Sequence, residues 1–118
     1  MKCELISVGD ELLIGQTINT NASWLGEQLN NLGFTIVHGL VISDQKKDIV
    51  NALNQAENRS DIVLITGGLG PTNDDITKHT LTEYFNTTLE LDKEIEQNII
   101  DYFTTVSYTH LTLPTILL

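Results

Sequence analysis

Three short apolar runs alternate with stretches whose apolar residues recur every three to four positions. Cys3 to Val8 is nearly all apolar and is stopped by Gly9 and Asp10, which predicts a buried strand. A helix capped by Thr20 or Asn21 follows, with Leu25, Leu29 and Leu32 on one face and Gly33 as its stop. Phe34 to Ile42 predicts a second strand, and Ser43 or Asp44 caps a helix that turns Ile49, Val50, Leu53 and Ala56 inward. Asp61 to Thr66 contains Ile-Val-Leu-Ile, the clearest buried strand of the chain. A glycine-rich loop comes next, then a helix from about Asp75 to Phe85. Asp92 begins a last helix with Ile95, Ile99 and Phe103 inward. The order β-α-β-α-β-loop-α-α, with strands apolar throughout, predicts an α/β fold. A parallel sheet is covered by helices on both faces and joined by right-handed crossovers.

The final residues break this pattern. Val106 to Leu118 reads VSYTHLTLPTILL and holds none of the sixteen acidic and six basic residues of the chain. It replaces a charged amphipathic helix with a β-prone apolar string containing Pro114. The stretch VSYTHL is similar to the translation of a transposon-end adapter used in sequencing libraries. The chain therefore divides into residues 1–105, one α/β domain, and residues 106–118, a tail expected to be non-native. On that expectation the C-terminal part of the fold is missing.

Charge narrows the partners. The formal net charge is −10 over 118 residues. The basic residues are scattered, with only Lys46 and Lys47 adjacent. Such a surface repels nucleic acid and anionic membrane, so neither is an expected partner. Cys3 is the only cysteine, and its place in an apolar run makes it a buried thiol rather than a nucleophile. No stretch reads as a signal peptide or a membrane span, so a cytoplasmic protein is expected.

In an open parallel sheet, ligands bind beyond the carboxyl ends of the strands. Gly9, Asp10 and Glu11 follow the first strand, Ser43 and Asp44 the second, and TGGLGPTNDD (Thr66 to Asp75) the third. Each aspartate alone suits a helix cap or turn. A carboxylate at all three strand ends, beside a glycine loop, points to function. Gly67, Gly68 and Gly70 let a ligand approach the main chain, and a glycine turn leading into a helix presents free N–H groups to phosphate. The loop is neither a Walker A nor a dinucleotide fingerprint. Asp74 and Asp75 would repel a phosphate unless a cation intervened, and Mg²⁺ held by one or two carboxylates plus substrate phosphates resolves the conflict. One carboxylate can hold the metal while another activates water. Thr77 is a further phosphate-binding candidate. His38, His79 and His110 lack metal-ligand spacing, and Trp24 suits the core or an interface.

Three blocks carry a family resemblance: CELISVGDELLIGQ (residues 3–16), NTNASWL (19–25) and TGGLGPTNDDIT (66–77). Together, over residues 1 to about 105, they closely resemble the N-terminal domain of the CinA family of competence- and damage-inducible proteins. The resemblance implies a three-layer parallel-sheet sandwich of the molybdopterin-binding MoaB/MogA type. It implies divalent-metal-dependent hydrolysis of ADP-ribose to AMP and ribose 5-phosphate, with Mg²⁺ or Co²⁺ as cofactor. It also implies a homo-oligomer in the intact parent. Asp44 and Asp75 would then be catalytic. Gly9, Gly67, Gly68, Gly70, Thr72 and Thr77 would bind substrate phosphate, and Asp10, Asp74 and Asp75 would hold metal. Many relatives carry a second domain that deamidates nicotinamide mononucleotide, an activity not assignable to this chain. Two other readings stand beside this one. They are a pterin-binding or nucleotidyl-transfer domain of molybdenum cofactor synthesis, and a non-catalytic competence module.

Overall fold

A computed structural model of the chain describes residues 1–70 and 75–106. Thr72, Asp74 and the tail beyond Val106 lie outside them. The elements are β1 (Lys2–Val8), α1 (Asp10–Leu13), α2 (Thr20–Asn31), β2 (Thr35–Ile42), α3 (Lys46–Arg59), β3 (Ile62–Gly67), α4 (Ile76–Tyr84) and α5 (Lys93–Val106). All three strands are parallel, in the order β2-β1-β3. The predicted α/β architecture is therefore present, with β1 as the central strand and one short helix, α1, that the apolar pattern does not signal.

Alternation along β1 sorts the two faces of the sheet. Ile6 and Val8 join Ile49, Ala52, Leu53 and Ala56 of α3 in the main buried cluster. Leu40 and Ile42 of β2, Val63 and Ile65 of β3, and Ile76 and Leu81 of α4 pack around it. Each fully buried Leu or Ile in such a cluster contributes about 1.5–3 kcal/mol relative to exposure. On the other face lies α2, whose Gly26 approaches Leu5. No residue of α2 is fully buried, so this layer is held more lightly than the α3 layer.

The parallel pairing contains one irregularity. Cys3 pairs with Ile36, but Glu4 pairs with His38, so Val37 is an extra residue in β2. The bulge brings Leu40 level with Ile6 and Ile42 level with Val8, on the core side. Five local expectations are corrected. Asn19, not Thr20 or Asn21, caps α2, its side chain accepting the Ala22 N–H. Gln45, not Ser43 or Asp44, occupies the cap position of α3. Leu32 is 73% exposed because it lies beyond the last turn of α2, and Ile95 is 55% exposed, although Ile99 and Phe103 of the same helix are half-buried. Trp24 is largely exposed and is not a core residue.

Beneath the sheet, Glu4 is completely buried in β1. Its carboxylate accepts hydrogen bonds from Arg59 Nε at 2.9 Å, Arg59 Nη2 at 2.7 Å and Ser60 Oγ at 2.8 Å. Arg59, the chain's single arginine, closes α3 against the central strand. This guanidinium, above all, holds the Glu4 carboxyl below the usual carboxylate range, against the opposing effect of burial.

Candidate functional site

The three strands end in one row. Val8 is level with Ile42 on one side and with Gly67 on the other. The residues that follow therefore emerge along a single edge, and the Gly9 N–H ties two of the ends by donating to the Ile42 carbonyl at 3.0 Å. Gly9 itself is buried.

Asp10 and Asp44 meet at this edge. The Asp44 N–H donates to Asp10 Oδ1 at 3.3 Å, and both side chains are exposed. Loss of solvent, and after it the Asp10 carboxylate, holds the Asp44 carboxyl above the usual aspartate range, and Glu11 adds in the same direction. Ser43 lies beside them. Its hydroxyl donates to Asp48 and accepts the Gln45 N–H at 3.2 Å, organising the turn into α3 in place of a side-chain cap. A groove of about 330 Å³ opens next to this turn, lined by Leu13, Leu40, Ile42, Ser43, Asn51 and Gln55.

Asp75 stands at the third strand end in a different environment. It is buried and caps α4, accepting the Lys78 N–H at 3.3 Å on Oδ1. Its Oδ2 pairs with Lys78 Nζ at 2.8 Å. The glycine turn before it is shaped by the fold. Gly67 and Gly68 have φ of 86° and 64°, a region closed to most side chains. A Cβ on Gly67 would strike the Val8 carbonyl oxygen, and one on Gly68 would strike Thr77 Oγ1. Buried Thr77 donates its hydroxyl to the Gly67 carbonyl at 2.8 Å and its N–H to the Gly68 carbonyl at 3.0 Å. Backbone packing thus accounts for both glycines and for Thr77 without a ligand. Gly70 is half-buried in the same turn.

The structure therefore brings Asp10 and Asp44 together and sets Asp75 apart with Lys78. Among the described residues, no three of His, Cys, Asp and Glu lie close enough to form a metal cage. Nor is any helix of the described residues long and apolar enough to cross a membrane. Sequence reasoning missed Asn19, whose Nδ2 donates to buried Ser7 Oγ of β1 at 2.9 Å. An asparagine just before an amphipathic helix was the available signal.

Comparison with known proteins follows this geometry. Residues 4–115 match the model of the family described as "Probable molybdopterin binding domain". A CinA-like protein of Flavobacterium psychrophilum is 47% identical over 107 residues, 87% of this chain and 26% of the relative. A CinA-like protein of Salinibacter ruber is 41% identical over 103 residues, 87% of this chain and 25% of the relative. The chain thus spans about a quarter of the length of these relatives. Among solved structures, the protein CinA of Thermoplasma acidophilum matches with a TM-score of 0.74 and 33% identity, covering 96% of this chain and 65% of that one. The tungsten cofactor synthesizing protein MoaB of Pyrococcus furiosus matches with a TM-score of 0.63 and 30% identity, covering 70% of this chain and 51% of that one.

Proposed function

Because the chain belongs to the family described as "Probable molybdopterin binding domain" and has CinA-like relatives, we propose that it carries the phosphate- and metal-handling edge of a nucleotide-diphosphate hydrolase. The substrate of this reading is ADP-ribose. Water adds to one phosphorus of the diphosphate, the bridging P–O bond breaks, and AMP and ribose 5-phosphate leave. The observation that carries the reading is that the Asp10 carboxylate accepts the Asp44 N–H and raises the Asp44 carboxyl at the strand ends, beside a glycine turn.

The donor set suits a hard divalent cation. Mg²⁺ is usually held by one or two carboxylates, with substrate phosphates and waters filling the other positions. Two exposed carboxylates, one of which raises the other's cost of ionisation, match that pattern, since a cation between them removes the repulsion on Asp44. Asp10 and Asp44 would hold it, with Mg²⁺ or Co²⁺ as the ion. When bound, such an ion neutralises the diphosphate oxygens and makes phosphorus a better electrophile. Asp75 has both oxygens engaged by Lys78, so its role here is to fix the start of α4 beneath the loop. Gly67, Gly68 and Gly70 supply the backbone turn against which phosphate rests. The groove beside Ser43 gives the rest of the nucleotide a place adjoining the carboxylates.

The test is to incubate the chain with ADP-ribose and Mg²⁺ or Co²⁺ and measure AMP. Release that is lost with chelator, and falls at least about a hundredfold in Asp10→Asn and Asp44→Asn, supports the proposal. No AMP from folded protein overturns it. A pterin-binding role is the second reading, favoured by the family model and the MoaB likeness. It predicts saturable binding of molybdopterin with no turnover of the diphosphate.

A further inference from the structure

We infer that Asn19 is a positioning residue, whose amide ties the Asp10–Asn19 segment to the end of the central strand and so holds Asp10 against Asp44. This rests on the hydrolase reading above for its kinetic consequence, but the tie itself is geometric.

The segment is closed on itself. The Glu11 carbonyl accepts the N–H groups of Gln16 at 2.9 Å and Thr17 at 3.2 Å, and the Asp10 carbonyl accepts that of Ile14 at 3.0 Å. The segment has little apolar anchorage, for Leu13, Ile14 and Ile18 are 52%, 68% and 82% exposed. Its far end is fastened by one side chain. Asn19 Nδ2 donates to Ser7 Oγ at 2.9 Å while Asn19 Oδ1 accepts the Ala22 N–H at 3.2 Å. Ser7 is only 2% exposed and stands two residues before Gly9, at the end of β1 that carries the site. A cap needs only the acceptor oxygen. Asn19 also spends its donor on a buried hydroxyl of the strand from which Asp10 departs. The segment is thus pinned to β1 both where it leaves the strand and where it enters α2. A displaced carboxylate is costly to catalysis, since about 1 Å of misplacement lowers a rate by up to about a hundredfold.

Substitution at Asn19 separates a cap from a tether. Asn, Asp and Ser cap helices about equally well. Aspartate also reaches Ser7 and accepts its hydroxyl proton, restoring the tie with its direction reversed, whereas serine is too short. A capping role alone makes Asn19→Asp and Asn19→Ser alike. A tether makes Asn19→Asp resemble the wild type and Asn19→Ser resemble Ser7→Ala. Two readings are taken on the whole chain. Amide exchange at Gln16 and Thr17 is expected to quicken about tenfold in Asn19→Ser and Ser7→Ala, with the slowest β1 amides changed far less. With ADP-ribose and Mg²⁺, kcat for AMP release is expected to fall about tenfold in the same two variants, with KM within about twofold, and to be kept in Asn19→Asp.

Asn19→Ser matching the wild type in amide exchange overturns the tether. Faster exchange with unchanged kcat overturns its role in catalysis. A wild-type chain that releases no AMP removes the hydrolase reading and, with it, the catalytic role of Asn19. The exchange comparison then decides the tether alone.

Discussion

Removing Arg59 should harm the fold more than removing its partner. Glu4 is wholly buried, and its three hydrogen bonds come from Arg59 and Ser60. Arg59→Ala leaves a carboxylate in the sheet with only the Ser60 hydroxyl. Breaking a buried ion pair from one side costs about 3–5 kcal/mol. The Arg59 side chain is 33% exposed, so part of the attraction is already screened, and about 2–4 kcal/mol is expected. Glu4→Met removes the buried charge at nearly constant volume and frees Arg59 to swing into water, at a cost of about 1 kcal/mol or less. Urea denaturation at pH 7 reads both. With a slope of about 2 kcal/mol/M, Arg59→Ala should lower the midpoint by about 1–2 M and Glu4→Met by well under 1 M. The pH dependence carries a sign. In the wild type the Glu4 carboxyl is held below its ordinary 4.5, so its contribution is present above that value and is lost as pH falls through the lower folded one. In Arg59→Ala burial acts almost unopposed and raises the carboxyl, so the deficit of the variant is largest at neutral pH and shrinks as pH falls through the raised value. A deficit constant from pH 7 to pH 4.5, or a Glu4→Met loss equal to that of Arg59→Ala, would refute the reasoning.

Other outcomes follow from the site edge. Gly67→Ala forces a side chain into positive φ and against the Val8 carbonyl, so a loss of more than about 2 kcal/mol is expected in chemical denaturation. Gly15 also has positive φ, but a Cβ there meets nothing, and Gly15→Ala should cost only about 1 kcal/mol. The Asp44 carboxyl should titrate above the usual aspartate range by carboxyl NMR and move down in Asp10→Asn, because one of its two largest perturbations is then gone. An unmoved titration there would separate the two carboxylates.

Much of this was legible in the chain. Apolar runs without alternation gave β1 and β3 because both have neighbours on each face or a covering helix. The carboxylates at the strand ends could be placed on one edge from the rule for parallel sheets alone. Where sequence reading stopped short, the physics is specific. Leu25, Leu29 and Leu32 share a helical face, but α2 ends at Asn31, so Leu32 never enters that face. Glycines in TGGLG suggested room for a ligand, and Gly67 and Gly68 have a packing reason that the letters do not reveal, against Val8 and Thr77. Aspartates at two strand ends are equivalent as letters. Only the hydrogen bonds of Asp75 to Lys78, against that of Asp44 to Asp10, tell them apart. Glu4 in an apolar strand was itself a clue, for one buried carboxylate and one arginine leave little choice of partner.

The extra residue at Val37 works as a ruler for the far end of the sheet. It sits near the start of β2, whereas Asp44 sits beyond its end, and a strand advances about 3.3 Å per residue. Drawing Val37 into the regular ladder would push Ser43 and Asp44 forward by that length and turn Gly39 and Val41, instead of Leu40 and Ile42, toward the α3 layer, whereas excising it would leave them in place. The spacing between the Asp10 and Asp44 carboxylates is thus set some twenty ångströms away, at the opposite rim, by counting residues rather than by any contact between the two places.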